Sequence, residues 1–194
     1  GASLQGEYKS KTVYDDVLKY RQLTHSSVNP WVVSMDEAYI YEPASDIDLW
    51  RKENVWATLM AGGAGIEFYL GGGGDLVAQD LTLYEGFYTT MSTAANFFKQ
   101  FVPFESLTPQ PGLSKTGWVL TNKTDYYLIY SKQTNTPTAS LSSGCYSLDW
   151  FHPKNNQYLL GNKFCVLSEQ ENALQLPPFD QNEDWIYIIN RIEE

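Results

Sequence analysis

The sequence predicts an α/β segment followed by an antiparallel β segment, and three observations carry that prediction. Two short apolar stretches, Trp31-Val32-Val33-Ser34-Met35-Asp36-Glu37 and Gly63-Ala64-Gly65-Ile66-Glu67-Phe68-Tyr69, each run into a glutamate. An amphipathic helix pattern separates them, so if both are strands of one sheet the connection is a parallel crossover and both carboxylates emerge at the same sheet edge. That edge is where barrel and open α/β enzymes keep their chemistry. After Phe101 no helix-length pattern recurs, and short β-rich runs take over.

In chain order, Ala2 to Gln5 reads as a frayed first strand. Residues 12–23 read as a helix, with Val13, Val17 and Leu18 on an apolar face and Arg21 and Gln22 on a polar one, and Thr12 with Asp15 at capping distance. Pro30 then opens the first full strand at a position where a missing N–H is tolerated. The strand is expected to end at Glu37 and to give way to a loop, residues 38–48, whose Tyr39, Tyr41 and Glu42 stand beside the strand end. A second helix starts near Asp46 or Asp48 and carries Leu49, Trp50, Val55, Trp56, Leu59 and Met60. Gly62-Gly63 ends it, because glycine enters the left-handed C-cap conformation cheaply. The next strand stops at Leu70, before the loop Gly71-Gly72-Gly73-Gly74-Asp75. That loop lacks the Lys-Ser/Thr of a phosphate-binding loop and does not open directly into a helix. A third helix begins near Asp80, where Thr82 and Glu85 have capping-box spacing. Its stripe of Leu83, Tyr84, Phe87, Tyr88, Met91, Ala94, Ala95 and Phe98 is the pattern of core packing.

Pro103, Pro109 and Pro111-Gly112 punctuate the chain, and the domain boundary is placed between residues 1–108 and 109–194. Beyond it, residues 118–120, 126–130, 146–151, 163–167 and 185–189 form β-rich runs separated by Asn, Thr, Gly, Ser and Pro, the pattern of a small antiparallel β-sandwich. Cys145 and Cys165 sit in two of these strands. They are either a disulfide between neighbouring strands or free buried thiols.

Composition narrows the function classes. The chain has 194 residues, a formal net charge of −10 and no basic run, which argues against nucleic acid and anionic membranes as partners. No stretch approaches the ~20 apolar residues that span a bilayer. Two Cys and two His without clustering argue against a zinc site, and no cofactor motif is present. Aromatic residues make up 15%, including six Trp and fourteen Tyr, and flat rings suit sugar faces as well as cores. The start, Gly1-Ala2-Ser3, reads as a cut point rather than a natural beginning.

A complete (β/α)8 barrel takes roughly 250 residues. The first hundred residues supply three helices and three strands, so they are not expected to be a self-sufficient fold. Tyr14, Tyr20-Arg21 and Asn29-Pro30-Trp31-Val32-Val33-Ser34-Met35-Asp36-Glu37, followed by Arg51 and Trp56-Ala57-Thr58-Leu59-Met60-Ala61-Gly62-Gly63-Ala64-Gly65-Ile66-Glu67-Phe68-Tyr69, resemble the end of a bacterial family of glycoside-hydrolase-like barrels. Those proteins carry a C-terminal β-domain often labelled collagen-binding. Asp149-Trp150-Phe151-His152-Pro153-Lys154 resembles the motif of that domain, with His152 at a position usually Asn or Asp and Asn155 where glycine is usual.

The resemblance implies that residues 1–108 are the C-terminal portion of a TIM barrel with its last two strands. It implies a secreted or periplasmic protein acting on an oligo- or polysaccharide, with the rest of the barrel upstream or on a separate polypeptide. In such barrels one carboxylate protonates the leaving oxygen while another attacks or activates water. Strand seven usually carries the nucleophile, the place of Glu37; strand four supplies the acid, and this chain lacks it. Glu67 is then a second carboxylate, a hydrogen-bond partner for a sugar hydroxyl, or a counter-ion for Arg51. Tyr39, Tyr41 and Tyr69 are the candidates for sugar stacking, whereas Trp31, at the strand's start, is assigned to packing. Alternation turns Asp36 away from Glu37, toward the helices. His25 and His152 have no partner at meaningful spacing, and Ser34 lacks the glycines of a nucleophile elbow. The competing reading is a non-catalytic carbohydrate- or protein-binding module, or an inactive fragment of a larger enzyme.

Overall fold

Apolar residues at alternate positions set the first sheet. β1 (Ala2–Glu7), β2 (Val33–Ile40) and β3 (Ile66–Leu70) lie side by side in that order, all parallel. The computed structural model describes residues 1–7, 9–40, 42, 45–70, 80–132 and 136–193. Within them the chain forms two compact units, Gly1–Phe97 and Phe98–Glu194.

In the first unit, α1 (Val13–His25) connects β1 to β2 and buries Val13, Tyr14 and Val17. Its N-terminus differs from the expected cap. Thr12 makes no side-chain cap bond, and its hydroxyl donates at 2.7 Å to Asp16 rather than pairing with Asp15. The connection from β2 to β3 is helical throughout its middle. α2 (Ile47–Trp50) is capped by Asp46, which accepts from the Leu49 amide at 3.0 Å. A π-helical turn, Arg51–Val55, then leads into α3 (Trp56–Met60). Gly62 takes φ 75° as the expected C-terminal stop, and Arg21 of α1 donates to its carbonyl. The helix-end carbonyls of Ala57, Thr58 and Leu59 accept from the Ala61, Gly63 and Gly62 amides, and the Arg21 contact fixes the turn just beyond them.

The last helix, α4 (Glu85–Phe101), follows a 3-10 turn, Leu81–Tyr84. Asp80 caps that turn by accepting from the Thr82 amide and hydroxyl at 3.0 and 2.6 Å. The Thr82–Glu85 box anticipated from spacing is therefore replaced by an aspartate two residues earlier. Tyr84, Phe87, Ala94, Phe97 and Phe98 are buried, but Leu83 and Tyr88 are exposed, so the apolar stripe is narrower than its sequence pattern. Trp50 meets Phe68 and Phe87 edge-on at 5.8 and 6.0 Å, and Trp56 meets Phe97 at 5.6 Å. These rings pack edge to face within the buried layer, together with Val17, Met35, Ile40, Val55 and Met60. The sheet stays open, and no closed barrel is present among the described residues.

In the second unit all pairings are antiparallel. β4 (Thr108–Pro109), β5 (Trp118–Thr121), β6 (Tyr126–Ser131), β12 (Trp185–Ile192), β8 (Gly144–His152) and β10 (Lys163–Val166) form one sheet in the order β10-β8-β12-β6-β5-β4, with β9 (Gln157–Leu159) also paired to β8. β7 (Thr138–Leu141) and β11 (Gln170–Ala173) form a second, two-stranded sheet. Ala139 and Leu141 of β7 share a core with Tyr127, Ile129, Leu148, Trp150, Tyr187 and Ile189 of the larger sheet. Each expected β-run falls on a strand, though β10 stops at Val166, one residue short of its run; β4, β7, β9 and β11 are additions of two to four residues, too short for a periodic signal, even though β7 alternates polar and apolar residues. Cys145 and Cys165 face each other directly across β8 and β10 and form a disulfide, which settles their state against free thiols.

The Asp149-Trp150 motif is occupied with folding this unit. Asp149 accepts from the Tyr158 hydroxyl at 2.7 Å and the Gly161 amide at 2.9 Å. Trp150 is buried and donates to the Gln175 carbonyl at 3.2 Å. His152 is fully buried against Trp185, with ring centroids 4.4 Å apart, and its Nδ1 accepts from the Asn155 amide at 3.3 Å. The turn closes at Asn156, whose φ of 51° suits asparagine better than most residues.

Candidate carboxylate face of the parallel sheet

A β-bulge organises the candidate site. β1 pairs Leu4 with Met35 and then Gln5 with Glu37, so Asp36 has no partner there. On the other side β3 pairs Ile66 with Met35 and Phe68 with Ala38, leaving Glu67 opposite both Asp36 and Glu37. One extra residue in β2 thus shifts its alternation against both neighbours at the same level. Val33, Met35, Ala38 and Ile40 are all buried, although 35 and 38 differ by an odd step. The opposite face therefore carries Ser34, Asp36, Glu37 and Tyr39 together.

This arrangement corrects the position expected for Asp36. Instead of turning toward the helices, it shares the open face with Glu37 and accepts hydrogen bonds from the Ser34 and Ser3 hydroxyls. Those bonds, Ser3 first, hold its carboxyl below the usual aspartate range. Glu37 is exposed and accepts no hydrogen bond from the described residues. It also lies inside its strand rather than at the end, because burial of Ala38 and Ile40 extends the pairing three residues further. The apolar positions 33, 35, 38 and 40 carried this signal: a switch from odd to even parity within one strand is the mark of a bulge.

Glu67 is the second residue of β3 and is exposed, one strand spacing of about 4.8 Å from the bulge. It makes no ion pair among the described residues. Arg51, a counter-ion considered for it, donates to Asp48 at 2.6 Å. Beyond the two glutamates, Tyr39 and Tyr69 are register partners whose rings stack at 5.6 Å with 21° between planes. They form an aromatic step toward the carboxyl ends of the strands. Tyr41 lies outside the described residues, as does the glycine loop 71–74.

Trp31 is not packed. It precedes the first paired residue of β2 and is 55% exposed, so the expectation that it fills the core is overturned. It lies at the amino end of the strand, away from Tyr39 and Tyr69.

Two solved structures share this fold. One, described as a glycoside hydrolase, is 16% identical and aligns over 97% of this chain and 52% of its own with a TM-score of 0.69. The other is a glycoside hydrolase family 5 protein from Bacteroides vulgatus ATCC 8482, also 16% identical, aligned over 93% of this chain and 45% of its own with a TM-score of 0.65. The fold is thus glycoside-hydrolase-like, and the chain spans about half the length of these structures. No protein-family model and no curated protein sequence matches it.

Proposed function

We propose that residues 1–108 are the C-terminal portion of a glycoside hydrolase barrel acting on an oligo- or polysaccharide, and that residues 109–194 are an accessory β-sandwich. The observation that carries the reading is the bulge-turned face of β2 and β3, where an unbonded Glu37 stands one strand from Glu67 beside a stacked pair of tyrosines. A parallel sheet is normally covered on both faces, so a polar, carboxylate-bearing face fits the interior of a barrel whose remaining strands lie outside this chain.

Glu37 acts as nucleophile or base. It attacks the anomeric carbon, or takes the proton of an attacking water, while the C–O bond to the leaving group breaks and a carboxylic acid from the absent strands protonates the departing oxygen. Glu67 hydrogen-bonds sugar hydroxyls, and Tyr39 and Tyr69, with Tyr41, offer rings to the sugar faces. The Cys145–Cys165 disulfide supports an oxidising, extracytoplasmic setting. In a protein containing the complete barrel, Glu37→Gln is expected to lower kcat by roughly 10³-fold or more with folding unchanged. Turnover within tenfold of the parent on a true substrate would overturn the assignment.

A further inference from the structure

We propose that Asp36 is a positioning residue: by bridging Ser3 and Ser34 it holds the bulge that aims Glu37 onto the open face of the sheet. The inference rests on Glu37 being the working carboxylate of that face. In a regular strand Glu37 would follow Met35 at a step of two and share its buried side. It is exposed only because one residue is inserted before it.

That inserted residue leaves the ladder incomplete, which costs pairing energy unless something local replaces it. The Asp36 side chain offsets part of that cost with bonds of its own. Ser3 and Ser34 are register partners on β1 and β2, the second pair before the bulge. The Asp36 carboxylate accepts from both hydroxyls, one on its own strand and one across the ladder. The bulge is thereby pinned to the last regular stretch of pairing on the same face. Hydrogen bonds from neutral donors to a charged acceptor are about twice as strong as neutral ones, which suits a clamp exposed to solvent.

The test reads geometry at position 37. Both native cysteines are tied in the disulfide, so Glu37→Cys introduces a single thiol whose reaction rate with an aromatic disulfide reagent reports its exposure. Adding Asp36→Ala is expected to slow labelling by about tenfold or more, the scale of losing a hydrogen bond to a charged group. Asp36→Asn keeps an acceptor oxygen for the two hydroxyls and should restore the rate to within about threefold. A control thiol, Thr89→Cys on the exposed side of α4, should not respond. If the Asp36→Ala protein does not fold, Ser3→Ala with Ser34→Ala removes both donors and carries the same expectation. An unchanged rate at position 37 in the folded clamp-less protein, or an equal change at the control thiol, overturns the proposal. Labelling is blind to turnover, so its failure leaves the hydrolase reading standing, and an inert Glu37 in catalysis leaves the clamp standing.

Discussion

Gly161→Ala should unfold the edge of the β-sandwich, and the size of the effect follows from the atoms around it. A Cβ at Gly161 would stand 2.0 Å from the Leu148 carbonyl oxygen and 2.7 Å from the Trp150 ring. The carbonyl belongs to β8, which is paired on both sides by β10 and β12 and cannot retreat. The chain at 161 must move instead. Two hydrogen bonds go with it, Gly161 N–H to Asp149 at 2.9 Å and Leu148 N–H to the Asn162 carbonyl at 2.9 Å. At about 1 kcal/mol each, these bonds account for about 2 kcal/mol. Overpacking against the buried Trp150 adds about 1–3 kcal/mol. The sum, about 3–5 kcal/mol, corresponds to a loss of roughly 10²-fold or more in amide protection. Hydrogen exchange of the β8 and β12 amides measures it within the second unit. Gly112→Ala, where nothing lies within 4 Å of the new methyl, is the control and should be neutral. Protection in Gly161→Ala within about threefold of the parent would refute the claim that this close approach holds the edge.

Replacing both Cys145 and Cys165 by alanine opens a link between residues 20 apart, which the chain-entropy relation values at roughly 3 kcal/mol; the denaturant midpoint of the second unit should fall accordingly, and an unchanged midpoint would show that the strands hold without the bond. The Asp36 clamp makes the first sheet sensitive to acid. Because the folded carboxyl titrates below its ordinary value, near 3.9 in an unfolded chain, the contribution is complete above that value and is lost as pH falls through the lowered folded value. Amide protection around β1 and β2 should therefore decline below about pH 4 in the parent and show a shallower decline in Asp36→Asn.

Much of the architecture was legible because it rests on local patterns. Val33 and Met35, the helix-period stripe through Phe87 and Phe98, and Gly62 at a C-cap announce their elements without any partner, since periodicity and glycine's freedom act over a few residues. The five long runs of the β-sandwich were readable for the same reason. Asp80 as cap in place of Thr82, and Thr12 bonding Asp16 instead of Asp15, were missed because cap choice turns on backbone angles that several nearby polar residues satisfy equally well in sequence.

The candidate site was legible in its residue types but not in its geometry. Glu37, Glu67, Tyr39 and Tyr69 were singled out by their places along two strands, and the sheet sets them side by side. Strict alternation, however, sends Asp36 to the helices, and the loop-like composition of residues 38–48 ends the strand at Glu37. The register shows otherwise, because the inserted residue is defined only against β1 and β3, strands about thirty positions away on either side. Trp31 exposed at the amino end, and the cysteines bonded across β8 and β10, belong to the same class of fact.

By itself, then, the sequence determined the order of the helices and of the longer strands, the parallel crossover and the pair of carboxylate-bearing strands, all consequences of short-range periodicity and chain connectivity. Tertiary structure alone decided which face each carboxylate occupies and whether the two cysteines meet. Strand register is a relation between distant segments, and in a period-two structure a shift of one residue exchanges the faces.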